Sequence, residues 1–181
     1  MRNSIFIIIL SLGFMAQSQV GIQFPEMQGE SLRGKVIDIP DELKGKYSII
    51  GLAYSKKSEV DLKSWYQPTY REFIHDPKTP NLFDISYDVN LFFVPMFSGA
   101  KKAAYKSIME KVRKTLDPKL HPHVLFYKGE IKTYKKALNF KGKDVPYFFL
   151  LNEEGQIVYT TNGGFSQSKM QQIIDKLNET W

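Results

Sequence analysis

The chain has no cysteine among its 181 residues. That absence excludes disulfide frameworks, thiolate nucleophiles, thiol–disulfide exchange, Cys-ligated zinc and lipidation on a cysteine. Histidine is scarce, at three residues, and the 12 glycines and 9 prolines follow no repeat, so collagen-like and low-complexity classes drop out. The apolar run from Ile5 to Met15 is about 11 residues, well short of the roughly 20 that cross a bilayer as a helix. What is present is a hydrophobic fraction of 43% with 14% aromatics, enough for one core in a chain too short for two comfortable domains.

The first residues read as an address. Arg2 precedes the apolar run, and Ala16-Gln17-Ser18-Gln19 follows it with small residues suited to cleavage after Ser18, or alternatively after Ala16. Residues 1–18 are therefore expected to be a signal peptide and 19–181 a single domain, periplasmic or secreted. In that oxidising setting a cysteine-free domain must be held by its core alone.

The net charge of +6 matters less than where it sits. Lys101 to Lys143 carries thirteen Lys or Arg against Glu110, Asp117 and Glu130. One reading is a face for an anionic surface. The plainer one is solvated helix faces, because Tyr and Ala interrupt the cations at helical spacing. Export argues against a nucleic-acid partner.

Along the expected domain no linker or repeat interrupts the pattern. Gly29 to Pro40 suggests a hairpin turning at Arg33-Gly34-Lys35, with Val36 to Ile39 as its second strand. Tyr47 to Tyr54 reads as a buried strand. Leu62, Trp65, Tyr66, Thr69 and Phe73 stripe a helix over Asp61 to His75, kinked or started late by Pro68. A strand over Val89 to Met96 precedes a helix over Lys101 to Leu116, striped by Tyr105, Ile108, Met109, Val112 and Leu116. A short strand (Val124 to Tyr127), a short helix (Glu130 to Leu138), a hairpin (Tyr147 to Leu151 with Gln156 to Tyr159) and a last helix capped by Ser166 or Ser168 complete the order. Such alternation predicts an α/β sandwich: a central mixed sheet, helices on both faces, and an N-terminal hairpin.

Two segments carry a resemblance. Asp41-Glu42-Leu43-Lys44-Gly45-Lys46 before a buried strand, and Lys143 through Tyr159 followed by Gly163-Gly164, resemble the halves of a thioredoxin-like domain of the exported thiol–disulfide oxidoreductase and peroxiredoxin-related branch. A weaker resemblance, carried by Ser64-Trp65, Pro68, Arg113-Lys114, Leu116-Asp117-Pro118 and the Tyr147 to Tyr159 hairpin, is to the mitochondrial ATP-synthase assembly factors. Members of that family lack a conserved catalytic dithiol and act as chaperones for a membrane complex.

The thioredoxin-like resemblance places a redox motif where the first central strand enters its helix, here Tyr54 to Lys63. Counting from Lys44-Gly45-Lys46 puts the cysteine places near Lys57 and Val60. Counting from Pro68 puts them near Val60 and Lys63. Neither gives sulfur, so thiol–disulfide and peroxidase activity should be absent, and Ser55 or Ser58 would be poor substitutes without a base. The resemblance further implies a cis proline at Pro146, with Val145 offering its backbone to an extended peptide. Tyr54, Ser55, Lys57, Trp65, Asn162 and Gly163 would line that groove. Trp65 is at least as well suited to the core. His121-Pro122-His123 would need a third ligand from His75 or an acid and reads as loop histidines, so neither metal nor cofactor is expected. The leading expectation is a redox-inactive protein- or peptide-binding assembly module of the cell envelope. The alternative is an enzyme using non-thiol groups of the same cleft, such as Lys57 with a neighbouring carboxylate.

Overall fold

A computed structural model of the chain describes residues 19–74 and 87–179. The expected signal peptide and His75 lie outside them. Seven strands form one mixed sheet in the order β2-β1-β5-β4-β3-β6-β7. The strands are β1 (Met27–Ser31), β2 (Val36–Ile39), β3 (Tyr47–Ala53), β4 (Val89–Phe97), β5 (Leu125–Lys128), β6 (Tyr147–Leu151) and β7 (Ile157–Asn162). β3, β4 and β5 run parallel, while β6, β7 and the β1–β2 hairpin pair antiparallel.

Alternation along the central strands divides the core into two. Ile49, Leu91, Phe93, Phe148 and Leu150 face one side, and Ile50, Phe92, Val94, Phe149 and Leu151 face the other. The first side is covered by α1 (Lys56–Ser64), α2 (Tyr66–Phe73), α3 (Tyr105–Thr115) and α5 (Gln167–Asn178), through residues such as Leu62, Phe73, Met109 and Ile173. The second is covered by the short α4 (Lys132–Ala137), Leu43 and the segment around Phe24. The expected α/β sandwich is present, with four helices on one face and one on the other. This arrangement divides the basic stretch from Lys101 to Lys143, because α3 and α4 lie on opposite faces.

The helix expected over Asp61 to His75 is two helices, beginning five residues earlier. Ser55 caps α1, and the opening residues Lys56-Lys57-Ser58-Glu59-Val60, of which Ser58 alone is buried, show no apolar stripe to betray it. Pro68 has no N–H for the Ser64 carbonyl and its ring would collide there. Trp65 instead bonds back to Leu62 at 3.1 Å, and the helix restarts at Tyr66 with Pro68 in its first turn. Likewise the expected helix from Lys101 opens as a 3-10 turn over Gly99–Ala104 and becomes α-helical at Tyr105.

Close approach fixes the helices on the sheet. A Cβ on Gly51 of β3 would lie 2.5 Å from the Phe148 ring and 2.9 Å from Leu62 of α1, so only glycine lets α1 lie flat there.

Candidate functional site

Parallel β3 and β4 end together, Ala53 opposite Pro95, and antiparallel β6 begins beside them, Leu52 opposite Tyr147. Connections at this end of the sheet are free to form a mouth. Ser55 is the hinge of the β3–α1 connection. Its Oγ accepts from the Ser58 N–H at 3.0 Å, while the Ser58 Oγ accepts from the Ser55 N–H at 2.9 Å. This reciprocal cap satisfies two donors and makes the expected redox loop the opening turn of a helix. Lys57 stands exposed on that turn.

Across the mouth, the Ser55 hydroxyl donates to Asp144 Oδ1 at 3.2 Å. The hydroxyls of Tyr54 and Tyr147 both donate to the Gly142 carbonyl, at 2.7 and 2.8 Å, and the Gly142 N–H donates to the Tyr147 oxygen at 2.7 Å. Phe140 stacks on both tyrosine rings, at centroid separations of 5.4 and 4.3 Å. The Lys135 ammonium lies 5.2 Å from the centre of the Tyr54 ring. Burial pushes the Tyr54 phenol up to about 12, with Tyr147 and Asp144 adding to the effect. Lys101, from the turn after β4, donates to the Tyr54 carbonyl at 3.0 Å.

On the β6 side the peptide bond before Pro146 is trans, and the cis bond among the described residues is Ile39–Pro40. This corrects the expectation drawn from resemblance. Pro146 simply starts a strand, where its missing N–H costs nothing, and its carbonyl accepts from the Gly163 N–H at 2.9 Å. Val145 is half-buried, and among the described residues its main-chain N–H and C=O have no protein partner. Asn162 pairs with Tyr147 and is exposed, and Gly163 turns the chain at a φ of +86°.

Trp65 is not on the rim. It is fully buried, tilted on Phe148 at 4.2 Å and edge-on to Phe165 at 5.4 Å. Its indole N–H donates to the Gly163 carbonyl at 3.0 Å. The helical stripe decided its place, and it supports the mouth from beneath by holding the loop after β7.

The structure therefore gathers Tyr54, Ser55, Lys57, Val145, Pro146, Asn162 and Gly163 at one end of the sheet. Sequence reasoning missed Asp144, Lys101 and the knot of Phe140, Gly142 and Tyr147. The aromatic spacing Phe140-x6-Tyr147 around a glycine was the available signal. No ion pair among the described residues includes Lys57, so it is not set against a carboxylate. His121 and His123 lie apart from the mouth, on the carbonyls of Leu116 and Leu91 at 3.1 and 3.0 Å. No cluster of three or more His, Asp or Glu suited to a metal occurs among the described residues. No helix there is long and apolar enough to cross a membrane.

Comparison with known proteins gives a family and a fold. The family model described as ATP10 protein matches residues 14–179. StoA from Bacillus subtilis superposes with a TM-score of 0.54 at 16% identity, covering 83% of this chain and 96% of its own. Yeast Sco1 superposes with a TM-score of 0.52 at 18% identity, covering 87% and 95%. Among curated proteins none matches the sequence. The fold is thioredoxin-like.

Proposed function

The chain belongs to the ATP10 protein family, and from that premise and its sulfur-free mouth we propose that it is a redox-inactive, chaperone-like assembly module of the cell envelope. It works by holding an extended segment of a client protein. The observation that supports this reading is a placement: exposed Lys57, exposed Asn162 and a Val145 main chain without a protein partner among the described residues lie at one end of the sheet, and the sequence has no thiol to put beneath them. An extended segment would hydrogen-bond to the Val145 backbone as an added strand does. The tyrosine knot would keep that backbone in place, so little order need be gained on binding.

Photo-crosslinkers at Lys57 and Val145, tested in the native host, should capture the same client protein. One at Val36, on the far edge strand, should not. Equal capture from all three positions, or capture from none, would overturn the groove. Export is part of the same proposal, resting on the leader pattern of residues 1–18. The mature protein should begin at Gln19 or Gln17 and be protected from protease until the outer envelope is breached. A cytoplasmic chain that retains Met1 refutes export.

A further inference from the structure

A cavity lies between α1 and α3, on the other side of α1 from the mouth, and the segment-binding reading makes no use of it. Its floor is Phe97, Val124 and Phe126 of the sheet layer, and Leu62 and Val112 form its walls. Its volume is about 420 Å³. The cavity exists because α3 is only half seated. Tyr105 and Met109 are buried, whereas Ile108 and Val112, one and two turns along the same stripe, remain half-exposed and face the space. Ala104, at the end of the 3-10 turn, adds no bulk to fill it.

Charge at its rim is one-sided. Lys56, Lys63, Lys101 and Lys111 stand around the apolar floor, with Glu59 the single acid in the lining. None of these lysines belongs to an ion pair among the described residues, and the hydrogen bond of Lys101 goes to a neutral carbonyl. Burial raises the pKa of Glu59, against the pull of Lys101 and Lys63 beside it; as one acid among four lysines it offsets only part of the rim charge. Four like charges around a low-dielectric floor repel one another, and an anion at the opening would relieve that.

We propose that this cavity binds a single-chain anionic amphiphile, a long-chain carboxylate, with the hydrocarbon tail on the apolar floor and the head among the rim lysines. Size supports a chain of methylenes over a peptide. The volume lies toward the lower end of small-molecule sites, roughly 300–1,000 Å³, and accommodates only about one turn of an α-helix roughly 10 Å across.

The test is titration of the full chain with a fluorescent eighteen-carbon polyene carboxylate below its micellar concentration. Saturable one-to-one binding is expected, at least tenfold tighter than that of the alcohol of equal length. Val112→Trp, which fills the space, should weaken binding at least tenfold, and the Lys63→Glu/Lys111→Glu pair should do so about tenfold. Amide shifts of the unaltered protein on titration should map to α1 and α3, a readout that does not depend on any variant folding. Absence of saturable binding, equal binding of the alcohol, shifts centred on the mouth, or full affinity in a folded Val112→Trp would each overturn the proposal. So would displacement of the probe by an acidic amphipathic peptide at lower concentration than by the unlabelled carboxylate. Crosslinking from Lys57 and Val145 is read separately, so either site can fail without the other.

Discussion

The mouth and the α1–α3 cavity share a wall, α1, yet they solve opposite problems. At the mouth the surroundings are polar and nearly every side chain has found a partner. Ser55 meets Asp144, two tyrosines meet one glycine, and Phe140 is stacked between them. What is left over there is backbone, at Val145, with Lys57 and Asn162 exposed beside it. In the cavity the leftover is apolar surface and ammonium groups that outnumber the one acid, Glu59. Main-chain groups left over suit an extended chain whatever its side chains, whereas apolar floor and cations select a tail and a head. One fold can thus carry a tolerant site and a chemically selective one on two sides of a single helix.

Several substitutions would break or sharpen that contrast. The largest effect should come from Trp65→Ala, which removes the plug under the mouth and the bond to Gly163; denaturant unfolding should show a loss of about 3–5 kcal/mol. A loss below about 1 kcal/mol would mean that the mouth is set from elsewhere. Gly51→Ala should follow at about 1–3 kcal/mol, because the added methyl forces Phe148 and Leu62 apart. Since it displaces the shared wall, it should weaken both crosslinking at the mouth and probe binding in the cavity. Ser55→Ala should cost about 1 kcal/mol through the lost helix cap and impair the mouth more than the cavity.

The smallest effect belongs to Tyr54→Phe, about 0.5–1.5 kcal/mol, since the Gly142 carbonyl keeps Tyr147 as a donor. It carries a pH signature. The folded phenol sits near 12 against 10 when unperturbed, so folding favours its neutral form. Its contribution is intact below about pH 10 and is lost as pH rises through about 12. Stability measured across that window should fall less steeply in Tyr54→Phe than in the unaltered chain. Parallel curves would assign the alkaline loss to the other buried tyrosines.

Element types were legible wherever periodicity and turn chemistry agreed. Asn152-Glu153-Glu154-Gly155 between two apolar runs became the β6–β7 turn, and Ser166 became the cap of α5, accepting from the Lys169 N–H at 3.3 Å. The start of α1 was not legible, because Lys56 to Glu59 are all polar, Val60 points to solvent, and its cap uses a serine at N3 instead of the Glu or Gln that marks a capping box in sequence. The conformation of Pro146 could not be read either. X-Pro-aromatic is compatible with both isomers, and what decides is the ladder to Gly163, a contact between residues far apart in the chain. The mouth itself was half visible: its backbone positions followed from fold resemblance, but the Phe140, Gly142 and Tyr147 knot arises in a connecting loop with no periodic signal. The cavity was hidden for the opposite reason. The stripe on α3 gave an apolar face without its depth of burial, and only the packed structure shows that Ile108 and Val112 are left half-exposed.

Lys101 belongs to both regions, since its ammonium binds the Tyr54 carbonyl just past the end of β3 and its side chain lines the cavity. Any ligand that draws this cation toward itself takes it from Tyr54, and any rearrangement of that strand end repositions the cation. The two occupancies are therefore joined by one coupling constant of equal size in either direction. A measured change in amphiphile affinity when a client is held would give its sign and its magnitude.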